Sequence, residues 1–347
     1  MTEYGGGNEP GIVTEEVISS SVPNSNDSVF TLGIVGDFDT ATAANDTEAG
    51  IVYELRRSSR AITLFGKPED SELTRAVLDA FNEGASPVYA TLPYPGSDTS
   101  VPADYVAGMK NLFDGADEEL DIVTALSTSV ADVENMATEI STEAEERHRL
   151  TLGIFGVDSG NDISDYSVDN DRVQLIEPAT FADGTSVLPA VAGRKAALGL
   201  ERTTINVRLN NAKSLEVSLS SSERSAIISA NGVPLADEAG GVRIVDDLTT
   251  VTSNSDLQFG FSRLVADLIM QETRENQQPF IGRFNNSAIQ DVLNGMVEDS
   301  LSVLDSSSVI ENYDVTVFKK GAVTAGVNMD IELVDPLRNI DNTVVFE

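Results

Sequence analysis

Cysteine and tryptophan are absent from the 347 residues, and histidine occurs once, at His148. Without cysteine there is no disulfide, no thiolate nucleophile and no zinc site built from Cys and His, and no redox compartment is readable. A Ser-His-Asp triad would have to use His148, which sits in "EERHRLTLG" among charged residues at a helix end. An imidazolium near a helix C-terminus is a favourable structural placement, and that is the role expected of it. No run approaches the roughly 18 apolar residues that a membrane-spanning helix needs. The opening "MTEYGGGNEP" has neither the basic region nor the apolar region of a signal peptide, so none is expected.

Phosphate loops are missing as well. In "LFGKPED" the positions that a Walker A loop gives to its first Gly and to Ser/Thr hold Ala61 and Pro68, which leaves Lys67 as a turn residue. "GIVGDFD" and "GIFGVDSG" follow strand-like residues without completing a dinucleotide fingerprint, so each reads as a strand end with a Gly turn. Acidic runs at 114–121 and 158–171 have oxygen ligands suited to Ca²⁺, yet neither follows the spacing of a calcium loop. No catalytic residue, cofactor or metal site is therefore expected.

What the chain has in excess is acid. Asp and Glu number 57 against 22 Lys and Arg, a formal net charge of −35, and only 6 of the basic residues are lysine. Such a surface repels nucleic acids and anionic membranes. The acids are spread along the whole chain, as in a halophile's solvent-facing coat; an acidic surface for a cationic partner is the alternative. In the halophile reading molar salt screens self-repulsion to within about 3 Å, and low ionic strength is expected to destabilise the fold. Hydrophobic residues make up 41% of the chain, enough for a real core.

From Val29 to Leu200 strand-like and helix-like segments alternate. Strands are expected at 28–36, 61–65, 87–92, 120–126, 149–156 and 171–178, several as continuous apolar runs suited to parallel strands covered on both faces. "DSELTRAVLDAFNEG" places Leu73, Val77, Leu78 and Phe81 on one helical face, with Asp70 or Ser71 as N-cap and Gly84 as terminator. A longer helix with an acidic outer face is expected over 130–149. This is the pattern of an α/β layered domain. After Thr203 the texture changes. "TTINVRL" and "LEVSLS" look like strands, and "SSERSAIISANGVPL" like a short helix ending in an Asn-Gly turn. Two amphipathic helices follow, one with a stripe of Leu257, Phe261, Leu264, Val265 and Leu268. The second carries Ile289, Val292, Leu293, Met296, Val297, Leu301 and Leu304 and opens with a Ser287/Gln290 capping box. An alternating strand pair at 313–318 and 325–334 closes the region. Each end of the chain isolates a short strand-like segment beyond a polar tether: Ile12, Val13, Glu15, Glu16 and Val17 before the linker 19–28, and Thr343, Val344, Val345 and Phe346 after a break at Pro336.

The two ends and three internal segments carry a resemblance. "EPGIVTEEV" looks like the opening of contractile tail sheath proteins of phages, archaeal viruses and related injection machines, where a polar linker and a "GIVG"-type strand also follow. "LFGKPEDSELTRAVLDAFNEGASPVYAT", "LPAVAGRKAALGL" and "VRIVDDLTTVTSNSDLQFGFSRLVADLIMQ" resemble later sheath segments, and the closing "VDPLRNIDNTVVFE" has its place in the order. Thr14 stands where the family has an aromatic residue, and "IVDDLTT" lacks the family's "WGAR" core.

The resemblance implies an α/β (α+β) fold: a sheath C-terminal α+β domain with strand-exchange arms, and an inserted α/β layered domain of subtilisin-like topology without catalytic residues. The implied divisions are an N-terminal arm and linker (1–28), an outer insertion domain (29–202), an inner assembly domain (203–335) and a C-terminal arm (336–347). The implied object is a helical stack of hexameric rings around an inner tail tube, with baseplate and tail terminator proteins as further partners, forming a virion tail sheath assembled in the host cytoplasm. A non-viral contractile injection system would use the same protein. In this picture the arm residues add strands to neighbouring copies, a form of β-augmentation; pairing at home, closing one domain, is the alternative. Arg263, Arg274, Arg283 and Arg338, with Lys319 and Lys320, are candidates to face the tube, against local pairing with the many carboxylates. An unrecognised halophilic α/β enzyme or ligand-binding protein is the competing class.

Overall fold

Alternation of side chains across a strand lets one sheet feed two cores, and the central strands here do so. The computed structural model describes residues 30–37, 47–48, 50–93, 104–200, 202–210, 213–253, 256–306, 309–334 and 336–338. In β1 (Leu32–Val35) Leu32 and Ile34 enter one apolar cluster while Val35 enters another. The same division holds for β3 (Val88–Thr91), β4 (Ile122–Ala125), β5 (Leu152–Gly156) and β6 (Val173–Glu177). Strands buried on both faces must be apolar at nearly every position, which is why they read as continuous runs.

These strands join β2 (Tyr53–Leu55), β7 (Val233–Glu238) and β8 (Gly241–Ile244) in an eight-stranded sheet of order β2-β3-β1-β4-β5-β6-β7-β8. The interior is parallel, and the two edge strands β2 and β8 run antiparallel to their neighbours. On one face lie α1 (Ser58–Phe65), α2 (Glu72–Glu83) and α5 (Leu188–Leu198); on the other lie α3 (Tyr105–Gly115), α4 (Val130–Arg147) and, through Ile227, α6 (Ser221–Ser229). The expected caps of α2 are present: the Ser71 hydroxyl accepts from the Thr74 N–H at 3.1 Å, and Gly84 ends the helix at φ 104°.

Three local expectations are corrected. Residues 61–65 belong to helix α1, not a strand: Ala61 and Phe65, one turn apart, are buried while Ile62 is exposed, a helical spacing hidden within a five-residue apolar run. "TTINVRL" and "LEVSLS" form only isolated bridges, Arg208 with Arg243 and Leu215 with Phe181; in the first, Asn206 takes a left-handed φ of 60° and breaks the alternation. The missed hairpin β7–β8 turns at Gly240 and Gly241, with φ of 113° and 115°. The sheet also runs across the expected division at 202/203, since β6 pairs with β7 through Ile176 and Val233.

Beyond the sheet, α7 (Gly260–Gln277), α8 (Ser287–Asp305) and the antiparallel pair β9 (Ile310–Lys319) and β10 (Ala325–Leu333) follow in order. The N-cap of α8 is Asn286, whose side chain accepts from the Ile289 N–H at 3.0 Å; Ser287 is the first helical residue, so the expected capping box is not formed. Leu293, Val297, Leu301 and Leu304 are the buried stripe of α8, whereas Val292 is 57% exposed.

Helix packing on the sheet depends on close backbone approach. A Cβ built on Gly193 of α5 would lie 2.8 Å from both the Cα and the carbonyl oxygen of Ala80 in α2. Main chain cannot give way as a flexible side chain does. Gly193→Ala is therefore expected to cost roughly 1–3 kcal/mol, measured as a lower urea midpoint with unchanged denaturant dependence.

Candidate assembly surface

The last layer is attached by buried charge. The Asp247 carboxylate, fully buried just after β8, accepts through Oδ1 from Gln174 Nε2 at 3.0 Å and from Thr204 Oγ1 at 2.9 Å. The same oxygen is paired with the buried Lys195 Nζ of α5. Its Oδ2 accepts from the Phe261 N–H at 3.1 Å, in the first turn of α7, where a negative charge also meets the helix dipole favourably. Two residues further along α7, Arg263 donates to Asp267 Oδ1 at 2.6 Å and to Asp171 at 3.0 Å. Arg172, at the entry to β6, donates to the other oxygen of Asp267 at 2.5 Å.

These contacts decide the fate of the arginines proposed to face a tube. Arg263 is fully buried and thus not at a surface; the correction follows from its i,i+4 pairing with Asp267, which turns the guanidinium inward. Arg274 is half-buried and donates to the His148 carbonyl at 3.1 Å. Arg338 pairs with Asp246, and its guanidinium lies 5.6 Å from the Phe259 ring centre. Arg283 is exposed; its Nε donates to the Pro279 carbonyl at 3.0 Å. Lys319 and Lys320 are exposed at the turn of the β9–β10 pair. The arm residues 12–17 and 343–346 lie outside the described residues.

What the buried clamp presents is a two-stranded sheet. Val317 faces Val327, Val315 faces Met329 and Tyr313 faces Ile331 on the side toward α8. Val327, Met329, Ile331 and Leu333 are nevertheless only partly buried, so the inner face has room for more cover. Opposite them Asp314 and Asp330 are directly paired, a repulsion between like charges. Among the described residues neither long edge is hydrogen-bonded to a third strand; on β9, Asn294 of α8 accepts from the Val317 N–H at 3.2 Å. An isolated two-stranded sheet is marginal in water, and open edges of 10 and 9 residues are templates for another chain.

Among the described residues no group of three or more His, Cys, Asp or Glu is placed to hold a metal ion, and no helix is long and apolar enough to cross a membrane. His148 caps α4 through its backbone at φ 60°; burial, aided by the nearby Arg274 charge, lowers its pKa. The lowered pKa disfavours the imidazolium that the sequence suggested at the helix end, and the cap is made by the backbone.

The fold is that of contractile tail sheath proteins. A chain of the anti-feeding prophage baseplate, imaged with six-fold symmetry, matches at a TM-score of 0.77 and 16% identity, covering 98% of this chain and 99% of that one. A chain of the contracted helical sheath of the same particle matches at 0.76 and 15%, over 97% and 98%. A sheath tail protein from Listeria innocua matches at 0.69 and 14%, over 90% and 93%. No family model and no curated protein matches the sequence.

Two carboxyls give the fold a pH dependence. Burial pushes Asp121, at the entry to β4, up to about 7, against the Thr31 N–H that its carboxylate accepts at 2.7 Å. Burial likewise raises Glu177, at the end of β6, to about 7, with Asp162 and Glu223 adding repulsion. A raised carboxyl pKa means the folded state holds protons that the unfolded chain has released, so stability falls as pH rises from about 4 to about 7. Asp121→Asn keeps the acceptor for Thr31 and cannot ionise. It is expected to shrink the drop in melting temperature between pH 4.5 and 7.5, with E177Q shrinking it further.

Proposed function

We propose that this chain is the structural subunit of a contractile tail sheath, polymerising as stacked hexameric rings around an inner tube and contracting to drive that tube through a host envelope. The observation that carries the reading is the end-to-end match with sheath chains: the alignments with chains from the anti-feeding prophage baseplate and sheath cover 97% or more of this chain and 98% or more of theirs. The open β9–β10 pair supports it, because a polymer built by β-augmentation needs an acceptor sheet with free edges.

In this reading residues 12–17 and 343–346 are lent to adjacent copies and complete that small sheet. The tethers 19–28 and 335–342 act as hinges while the rigid bodies turn. Residues 29–202 supply most of the outward α/β layer, a subtilisin-like topology without catalytic groups, and the helices and strands after 203 form the inner layer. A contact between different patches that does not close on itself gives a ring or a helix. Contraction runs downhill to a more buried lattice and needs no nucleotide, and the chain acts without catalysis. Baseplate, tube and terminator proteins are its partners, in a tail assembled in the host cytoplasm. A non-viral injection machine is the second reading, favoured by a further match, at a TM-score of 0.73 and 12% identity, to a sheath chain of an extracellular contractile injection system.

Electron microscopy of the purified chain in molar KCl tests this. Tubes or stacked rings are expected, and variants lacking residues 1–20 or 341–347 are expected to remain folded monomers that do not polymerise. Persistent monomers of the full chain would contradict the proposal; cooperative unfolding of either truncation would return the arms to their own domain.

A further inference from the structure

About one residue in six of this chain is Asp or Glu, yet the stretches 276–290 and 315–329, like 184–200, contain none. The fold brings the first two together. Asn285 Nδ2 donates to the carbonyls of Gly321 at 3.1 Å and Thr324 at 3.0 Å, pinning the segment before α8 to the turn between β9 and β10. On the resulting knob Phe284 is 87% exposed and Val323 93% exposed. Arg283, Lys319 and Lys320 surround them, and none forms an ion pair with a carboxylate among the described residues. In a chain of net charge −35, this apolar tip thus carries three cations that no carboxylate among the described residues pairs with.

Its complement is present on the same chain. A cavity of about 250 Å³ opens where α3 leads into β4, with Phe113, Leu120 and Leu150 in its walls and Asp117, Glu118 and Glu119 among the residues that line it; its one cation, Arg149, is paired with Asp114 and Glu143. Ligand pockets usually measure about 300–1,000 Å³, so this one suits a single side chain better than a metabolite. The three acids are exposed, and Asp117 has no ion pair among the described residues. A buried aromatic anchor inside a polar, charge-complementary rim is an arrangement that protein interfaces use.

We infer that the 281–284/319–323 knob of one copy docks into the acid-rimmed cavity of a second copy, Phe284 entering the cavity and Lys319 and Lys320 pairing with its carboxylates. The two patches differ, so the contact is heterologous and can repeat from copy to copy. It is separate from strand exchange, involves no arm residue, and rests on the sheath reading above.

The test assembles isotope-light and isotope-heavy full-length chains together and treats the polymer with a water-soluble carbodiimide, which joins lysine amines to carboxylates in direct contact. Light–heavy peptides linking Lys319 or Lys320 to the 117–119 carboxylates are expected. They should fall at least five-fold in a Phe284→Ser, Val323→Ser variant whose melting temperature is unchanged. Links only to other carboxylates, only within one chain, or only to an added tube protein would overturn the contact while leaving the sheath reading intact. A wild-type chain that forms no polymer at any KCl concentration would remove the sheath reading itself.

Discussion

The position of helix α7 governs everything that follows it in the chain, and two buried charge clusters set that position. Asp247 gathers Lys195 from α5, Gln174 from β6, Thr204 from the loop after α5 and the first turn of α7 onto one carboxylate. Arg263 and Asp267, further along α7, lock onto Asp171 and Arg172 beside β6. Such pairs add little net stability over an apolar core, but removing one partner strands the other, at a cost of about 3–5 kcal/mol. Their effect is geometric: directional hydrogen bonds specify one helix register where apolar packing alone would accept several.

From that fixed helix the rest is a cantilever. α8 packs on α7, with Val297 and Leu301 in one buried cluster with Leu264, Val265 and Ile269, and the β9–β10 pair rests on α8. The farther the chain goes, the less it covers itself: sheet residues such as Ile154 are fully buried, whereas Ile331 and Leu333 stay partly exposed. A monomer would gain by covering those residues and by separating Asp314 from Asp330. An incomplete small sheet at the end of a rigid attachment suits a protein whose final burial is supplied by other copies.

Much of this was legible in the sequence, for identifiable reasons. Five of the six parallel strands of the large sheet appear as apolar runs because both faces are covered, and α2 announces itself through Ser71 and Gly84. The helix at 58–65 was hidden because a two-turn element with Ala61 and Phe65 inside looks like a strand when its neighbours are also apolar. β7 and β8 were missed although Gly240–Gly241 marks their turn, since "VPLADE" follows a helix closely and ends in charge. Burial of Arg263 had a signal too, the Asp267 one turn on, but an i,i+4 ion pair looks the same in a sequence whether it faces solvent or a sheet. The knob's signal was an absence: two stretches without acid in a chain full of it.

In the proposed sheath, the small sheet built on β9 and β10 is completed by strands from neighbouring copies, so that the functional object is a continuous lattice. A cryo-electron-microscopy map of the assembled particle, with the chain traced from each β9–β10 pair, measures this directly. The account predicts two additional strands on that sheet, traceable to the N-terminal and C-terminal segments of two different neighbours. A map in which the sheet keeps two strands, or in which both extra strands come from the same chain, would contradict it.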